Sequence, residues 1–133
     1  MTELGGSLLQ NRSIDPRFLE TVPASATITA QRLTTPVFGL GLIEAIPDAA
    51  IQANASATKP DGVHGRAAVV FDVASGVNRV GRFGWKAQQA TILAFSGDAY
   101  LNEVGITNRL FTTENAPNGD LAKLAQEIGR AHV

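Results

Sequence analysis

Cysteine is absent from the 133 residues. Disulfides, thiolate catalysis and zinc–thiolate sites are therefore excluded for this chain. Histidine is scarce, with only His64 and His132. A Ser-His-Asp triad would have to run through His64, and nothing around Ser56 or Ser75 resembles a nucleophile elbow. Neither sign of charge dominates. The formal net charge is -1, which argues against a nucleic-acid or membrane-surface partner. Long apolar runs are lacking too. The longest are broken by Gly, Glu and Pro, so no membrane span is expected. No basic start followed by an apolar stretch is visible, so these residues carry no signal-peptide pattern. "GLGLIEA" lacks the third glycine and the strand context of a dinucleotide fingerprint. "KPDGVHGR" has too few carboxylates for a calcium loop.

What is present suits one globular domain with a modest core: 44% hydrophobic and 17% charged residues. Asp15-Pro16 reads as a helix N-cap with proline in the first turn, predicting a short helix over 16–21. "ATITAQR" alternates β-branched and small residues and predicts a short strand over 26–32. "TTPVFGLGLIEAIPDAAIQANA" predicts two short helices, 36–45 and 47–54, separated at Pro47. Pro60-Asp61-Gly62 reads as a turn. "AAVVFDVASGVNRVGRF" predicts a β-hairpin with arms 67–73 and 77–83 around Ser75-Gly76. Ala90, Leu93, Ala94, Leu101 and Val104 fall at helical spacing, predicting helix from Trp85 to Val104. Ser96-Gly97-Asp98 is expected to interrupt it, with Ser96 or Asp98 capping the second part. Asp120 is expected to cap a last helix, 121–126.

Within this frame the segment "VGRFGWKAQQAT" stands out. It gathers Arg82, Phe83, Trp85 and Lys86, four of the chain's sparse aromatic and cationic groups, around two glycines. Cations pair with carboxylates and rings stack on flat ligands, so the cluster suits a flat, anionic, aromatic ligand such as a haem with its propionates. The residues alone also allow another arrangement, in which Phe83 and Trp85 anchor the core and Arg82 caps carboxylates on the protein's own surface. Glu44, inside an apolar run, is expected to form a structural ion pair with Arg32 or Arg66, since a buried unpaired carboxylate is too costly.

Six phrases occur in order: "GGSLLQ", "TTPVFGLGLIEAIPD", "DGVHGR", "VGRFGWKAQ", "NEVGITNRLF" and "ENAPNG". Together they resemble the di-haem oxidoreductase family, which is similar to bacterial di-haem cytochrome c peroxidases. The resemblance runs from about Leu4 to Ala125. Members are exported c-type cytochromes with two Cys-x-x-Cys-His haem sites. The resemblance therefore implies a periplasmic or exported parent with two haem c groups, a small oxidant such as peroxide, and a redox donor. This chain matches the stretch between the two haem sites and contains neither, so no haem attaches to it covalently. The last seven residues, "EIGRAHV", have codons that can spell a widely used sequencing adapter. Residues 127–133 are accordingly expected to be read-through, and residues 1–126 an inter-haem fragment.

The resemblance also implies roles for single residues. In the related peroxidases a Gly-Arg pair precedes a helix carrying a glutamine, and a glutamate follows. Here Gly81-Arg82 precede Gln89, and Glu103 falls at the acidic position. There the two residues line the peroxide pocket, and the glutamate relays a proton during O–O cleavage. Residues 14 apart on one continuous helix are about 21 Å apart, so the pocket needs a chain turn at Ser96-Gly97-Asp98. The expected fold class is mainly α with a small β-hairpin, an incomplete cytochrome c-like, di-haem peroxidase-like domain. The expected haem contacts are Arg82, Phe83, Trp85 and Lys86; the expected reactive pair is Gln89 and Glu103. The rival reading is an exported, non-enzymatic binding or structural module without cofactor.

Overall fold

The computed structural model describes residues 8–31 and 33–126. The chain divides into two compact units, one of Leu33–Ser96 and one of Met1–Arg32 with Gly97–Val133. The suspected adapter tail, 127–133, lies outside the described residues.

In the first of these units, two helices meet at a proline corner. Helix α1 spans Leu40–Glu44 and helix α2 spans Asp48–Ser56, with Pro47 as the α2 N-cap. The helix expected from Pro36 starts only at Leu40. Gly39 there adopts φ 77°, a left-handed conformation that glycine reaches without cost and that no helix can continue through. Strands β1 (Val69–Asp72) and β2 (Val77–Val80) form a two-stranded antiparallel ribbon, with Val69 opposite Val80 and Asp72 opposite Val77. Gly76, at φ 75°, closes the turn as its N–H donates to Asp72 O at 2.8 Å.

After the ribbon the chain forms a loop, not the helix expected from Trp85. Phe83 and Gln89 pair as an isolated antiparallel bridge, with Phe83 N–H donating to Gln89 O at 2.9 Å. Gly84 (φ 80°) and Ala87 (φ 49°) bend the chain between them. Helix α3, Ile92–Val104, begins only afterwards. It runs without interruption through Ser96-Gly97-Asp98, so the expected turn there is not formed. A methyl group on Gly97 would come within 3.0 Å of the Phe111 ring. Close packing, not chain reversal, accounts for this glycine.

The second unit contains the C-terminal part of α3, helix α4 (Leu121–Leu124) and short 3-10 turns at Pro16–Phe18 and Pro117–Gly119. Asp15 caps the first turn through Arg17 N–H, and Asp120 caps α4 through Ala122 and Lys123 N–H, as their sequence positions predict. Gly105 (φ 73°) ends α3, and the Ile106 N–H returns to Tyr100 O at 2.9 Å. The strand expected over 26–32 is not seen in described residues 26–31. They lie in irregular chain with no ladder partner, and alternation alone cannot hold a strand without one.

The expectation of a mainly α fold is therefore corrected. Long stretches are irregular, α1 and α4 are single turns, and the sheet has two strands. The arrangement is a small mixture of short helices and one ribbon. Its core is small too. In the Leu33–Ser96 unit the buried apolar residues are Val80, Phe83, Ala90 and Ala94. A fully buried valine or phenylalanine contributes about 1.5–3 kcal/mol and alanine far less. Polar ties must carry much of this unit's order.

Candidate functional site

Those ties converge on the segment that the sequence singled out. The Arg82 side chain is only 3% exposed. Its guanidinium pairs with Asp48 and donates to Ile43 O and Glu44 O at 3.2 Å and to Ile46 O at 2.5 Å. The first two carbonyls end α1, where a helix leaves acceptors unsatisfied, and the third lies just past it before Pro47. The Asp48 carboxylate also accepts Val80 N–H at 2.8 Å, and Arg79 approaches it at 3.6 Å. The Val80 N–H bond, followed by the two arginine charges, holds the Asp48 pKa below the ordinary carboxylate value despite partial desolvation. Arg82 thus clamps the Pro47 corner onto the end of β2.

A second tie lies beside it. Asp72 is fully buried. Desolvation opposes its charge, but four donors outweigh that and lower its pKa: Ser75 Oγ at 2.5 Å, Thr91 Oγ1 at 2.8 Å, and the Ala74 and Ser75 amides. Thr91 Oγ1 in turn accepts Ala94 N–H at 3.2 Å in the first turn of α3. Glu44 Oε1 accepts Ile92 N–H at 2.8 Å. Glu44 is therefore a helix cap, not the expected ion-pair partner of Arg66. Arg32, the other expected partner, lies outside the described residues. Asp48, Asp72 and Thr91 were not singled out from sequence. The "DVAS" spacing of an aspartate three residues before a serine is the one local signal for the Asp72 turn.

The glycines of "GRFG" answer to the protein's own backbone. A Cβ on Gly81 would sit 2.0 Å from Ala87 O. At Gly84 the positive φ is the constraint, and a Cβ would meet only the flexible Gln88 side chain, whose Oε1 accepts Lys86 N–H at 3.0 Å. Phe83 is 3% exposed and stacks obliquely on Phe95, with ring centroids 6.2 Å apart. Phe83 thus follows the alternative reading as a core anchor, and Arg82 follows it in pairing with a carboxylate of the protein's own, though it also binds backbone carbonyls; Trp85 does not follow it.

Trp85 and Lys86 differ. Trp85 is 55% exposed, and its indole Nε1–H donates to Leu33 O at 3.0 Å, which fixes the ring's orientation. Lys86 is exposed. Gln89 is half-buried with its backbone in the Phe83 bridge, whereas Glu103 is exposed in the last turn of α3. Gln89 belongs to the Leu33–Ser96 unit and Glu103 to the other. His64 is exposed in an irregular segment after Pro60–Gly62.

Elsewhere in the second unit, Leu101, Leu110, Phe111, Ala116 and Leu121 line a shallow cleft of about 440 Å³. None of the haem-contact or reactive residues expected from sequence lines it. Among the described residues no group of three or more His, Cys, Asp or Glu side chains could hold a metal, and no helix is long and apolar enough to cross a membrane.

A family model described as "Di-haem oxidoreductase, putative peroxidase" matches residues 20–125. No curated protein and no solved structure matches the chain. The family match covers most of the sequence, including the Arg82 clamp, the Trp85 loop and α3. The chain belongs to the di-haem oxidoreductase family.

Proposed function

We propose that this chain is the inter-haem part of a longer, exported di-haem oxidoreductase, in which it orients haem groups that other segments hold. Without cysteine the chain attaches no haem c itself. When bound, haem supplies the redox chemistry, and the protein supplies orientation and electrostatics. A non-covalent approach of a haem fits two of the four residues first considered. Trp85 presents an exposed, oriented ring, and Lys86 an exposed cation for a carboxylate. Arg82 and Phe83 act behind them by fixing the loop. The observation that carries this reading is the half-exposed Trp85 on a rigidly closed loop, within a chain matched to the family over residues 20–125.

In the parent, electrons would pass between haem, a small oxidant such as peroxide, and a redox donor. Gln89 and Glu103 remain the candidates for the peroxide pocket. The continuous α3 supplies no chain turn at Ser96-Gly97-Asp98, so that turn does not bring the two residues to one peroxide. Recovering the complete reading frame tests the whole reading. Cys-x-x-Cys-His codons on both sides, and a product with a Soret band after maturation in an exporting host, are expected. A frame without them and a colourless product overturn the proposal in favour of a cofactor-free module.

A further inference from the structure

Asparagine is followed by glycine at one place in the sequence, Asn118-Gly119. With no side chain on the second residue, its backbone nitrogen can approach the asparagine amide carbon unhindered. The fold sets this pair in a tight, half-buried turn, with Asn118 at φ 49° and Gly119 at φ 77°. Residues 20 and 21 hold the turn from outside. Thr21 N–H donates to Asn118 Oδ1 at 2.8 Å, Asn118 Nδ2 donates to Thr21 O at 2.8 Å, and Asn118 N–H donates to Glu20 Oε1 at 3.2 Å. Within the turn, Gly119 N–H donates to Ala116 O at 2.8 Å.

We infer that Asn118 is a site of spontaneous deamidation that residues 20–21 hold in check and that, once modified, releases them. The only co-reactant is water. The Gly119 nitrogen gives up its proton to solvent and bonds to Asn118 Cγ; the Cγ–Nδ2 bond breaks, ammonia leaves, and a succinimide ring closes. Water then opens the ring. Cleavage at Cγ leaves aspartate, and cleavage at the Asn118 main-chain carbonyl carbon leaves isoaspartate. In the closed turn both nitrogens are engaged: Ala116 O holds the proton of the attacking one, and the leaving one donates to Thr21 O. The Thr21 N–H polarises the amide carbonyl and so favours attack. Attack, however, makes Cγ tetrahedral, and the planar two-point pairing of Oδ1 and Nδ2 with Thr21 is lost. The product cannot restore it. A carboxylate at 118 offers no donor to Thr21 O and places a second negative charge beside Glu20. Isoaspartate also lengthens the main chain just ahead of Asp120, the cap of α4.

Peptide mass spectrometry of the full 133-residue chain after incubation at mildly alkaline pH tests this. Asn115 lies in the same tryptic peptide, precedes alanine, and serves as the internal reference. In urea, Asn118 should react much faster than Asn115 and yield both aspartate and isoaspartate. In the folded chain it should react more slowly than in urea by about tenfold or more, because the rate follows the open population. Thr21→Pro removes the donor to Oδ1 and should recover most of the unfolded rate while amide exchange within α3 stays slow. Deamidated wild-type chain, purified without any substitution, should exchange the Thr21 amide faster than the unmodified chain. Equal Asn118 rates in the folded chain and in urea overturn the inference. So does aspartate formed without isoaspartate, or a deamidated chain whose Thr21 amide exchanges no faster.

Discussion

The nearly buried Arg82 guanidinium and the half-buried Asp48 carboxylate form an ion pair that joins the end of β2 to the corner between α1 and α2. The same arginine binds two carbonyls at the end of α1 and a third just past it. Arg82→Ala strips those acceptors and leaves Asp48 with the weaker Arg79 contact. A loss of about 2 kcal/mol is expected, less than for removing one member of a fully buried pair because Asp48 is partly exposed. Asp48→Asn should cost less, because an amide still accepts Val80 N–H. Urea unfolding of both variants checks the order. If Arg82 served a ligand alone, the ligand-free chain would lose nothing.

Acid should dismantle the same unit. Asp48 and Asp72 both have folded pKa values below their unfolded ones. At acid pH the unfolded state therefore binds more protons. The stability these groups add is present above the ordinary aspartate value of about 3.9 and is lost as pH falls through the lower folded values. Thermal melts followed by circular dichroism should stay level from pH 7 to about pH 5 on account of these groups and fall steeply below pH 4. Asp72→Asn should lower the melting temperature at pH 7 and flatten the acid limb.

The two glycines of the loop should respond unequally to alanine. Gly81→Ala drives a methyl into Ala87 O, a backbone atom that cannot move without opening the Phe83–Gln89 bridge. Gly84→Ala meets a movable side chain and pays about 1–2 kcal/mol for its left-handed backbone. Melting temperatures should rank wild type above Gly84→Ala, with Gly81→Ala lowest. The reverse order would mean that the loop does not close as described.

Asn118 holds residues 20–21 as a strand would. Its Oδ1 accepts Thr21 N–H at 2.8 Å, and its Nδ2 donates to Thr21 O at 2.8 Å. Asn118→Asp replaces that donor with an acceptor facing a carbonyl. Amide exchange at Thr21 should speed up by about tenfold or more, the equivalent of one lost hydrogen bond of roughly 1.5 kcal/mol. Exchange within α3 should be unchanged.

Short-range chemistry was legible in the sequence. Asp15, Asp120 and Pro47 lie at helix starts, and the ribbon turns at Ser75-Gly76, because caps and turns depend on neighbours along the chain. Residues whose meaning depends on distant partners were not legible. Gly97 reads as a breaker until Phe111 is placed against it. Trp85 fits a helical pattern until the Phe83–Gln89 bridge folds it into a loop. Arg82 reads as a ligand group until α1 presents its carbonyls. The site was half visible for the same reason: Trp85 and Lys86 are exposed, as the proposed ligand contacts require, whereas Arg82 and Phe83 are taken up by the fold.

Oxidative footprinting of Trp85 by mass spectrometry, in the complete protein with and without haem, tests the central claim most directly. The account predicts that Trp85 is readily oxidised in the haem-free form, in keeping with its 55% exposure, and strongly protected once the haems are in place. Equal oxidation in both forms would contradict it.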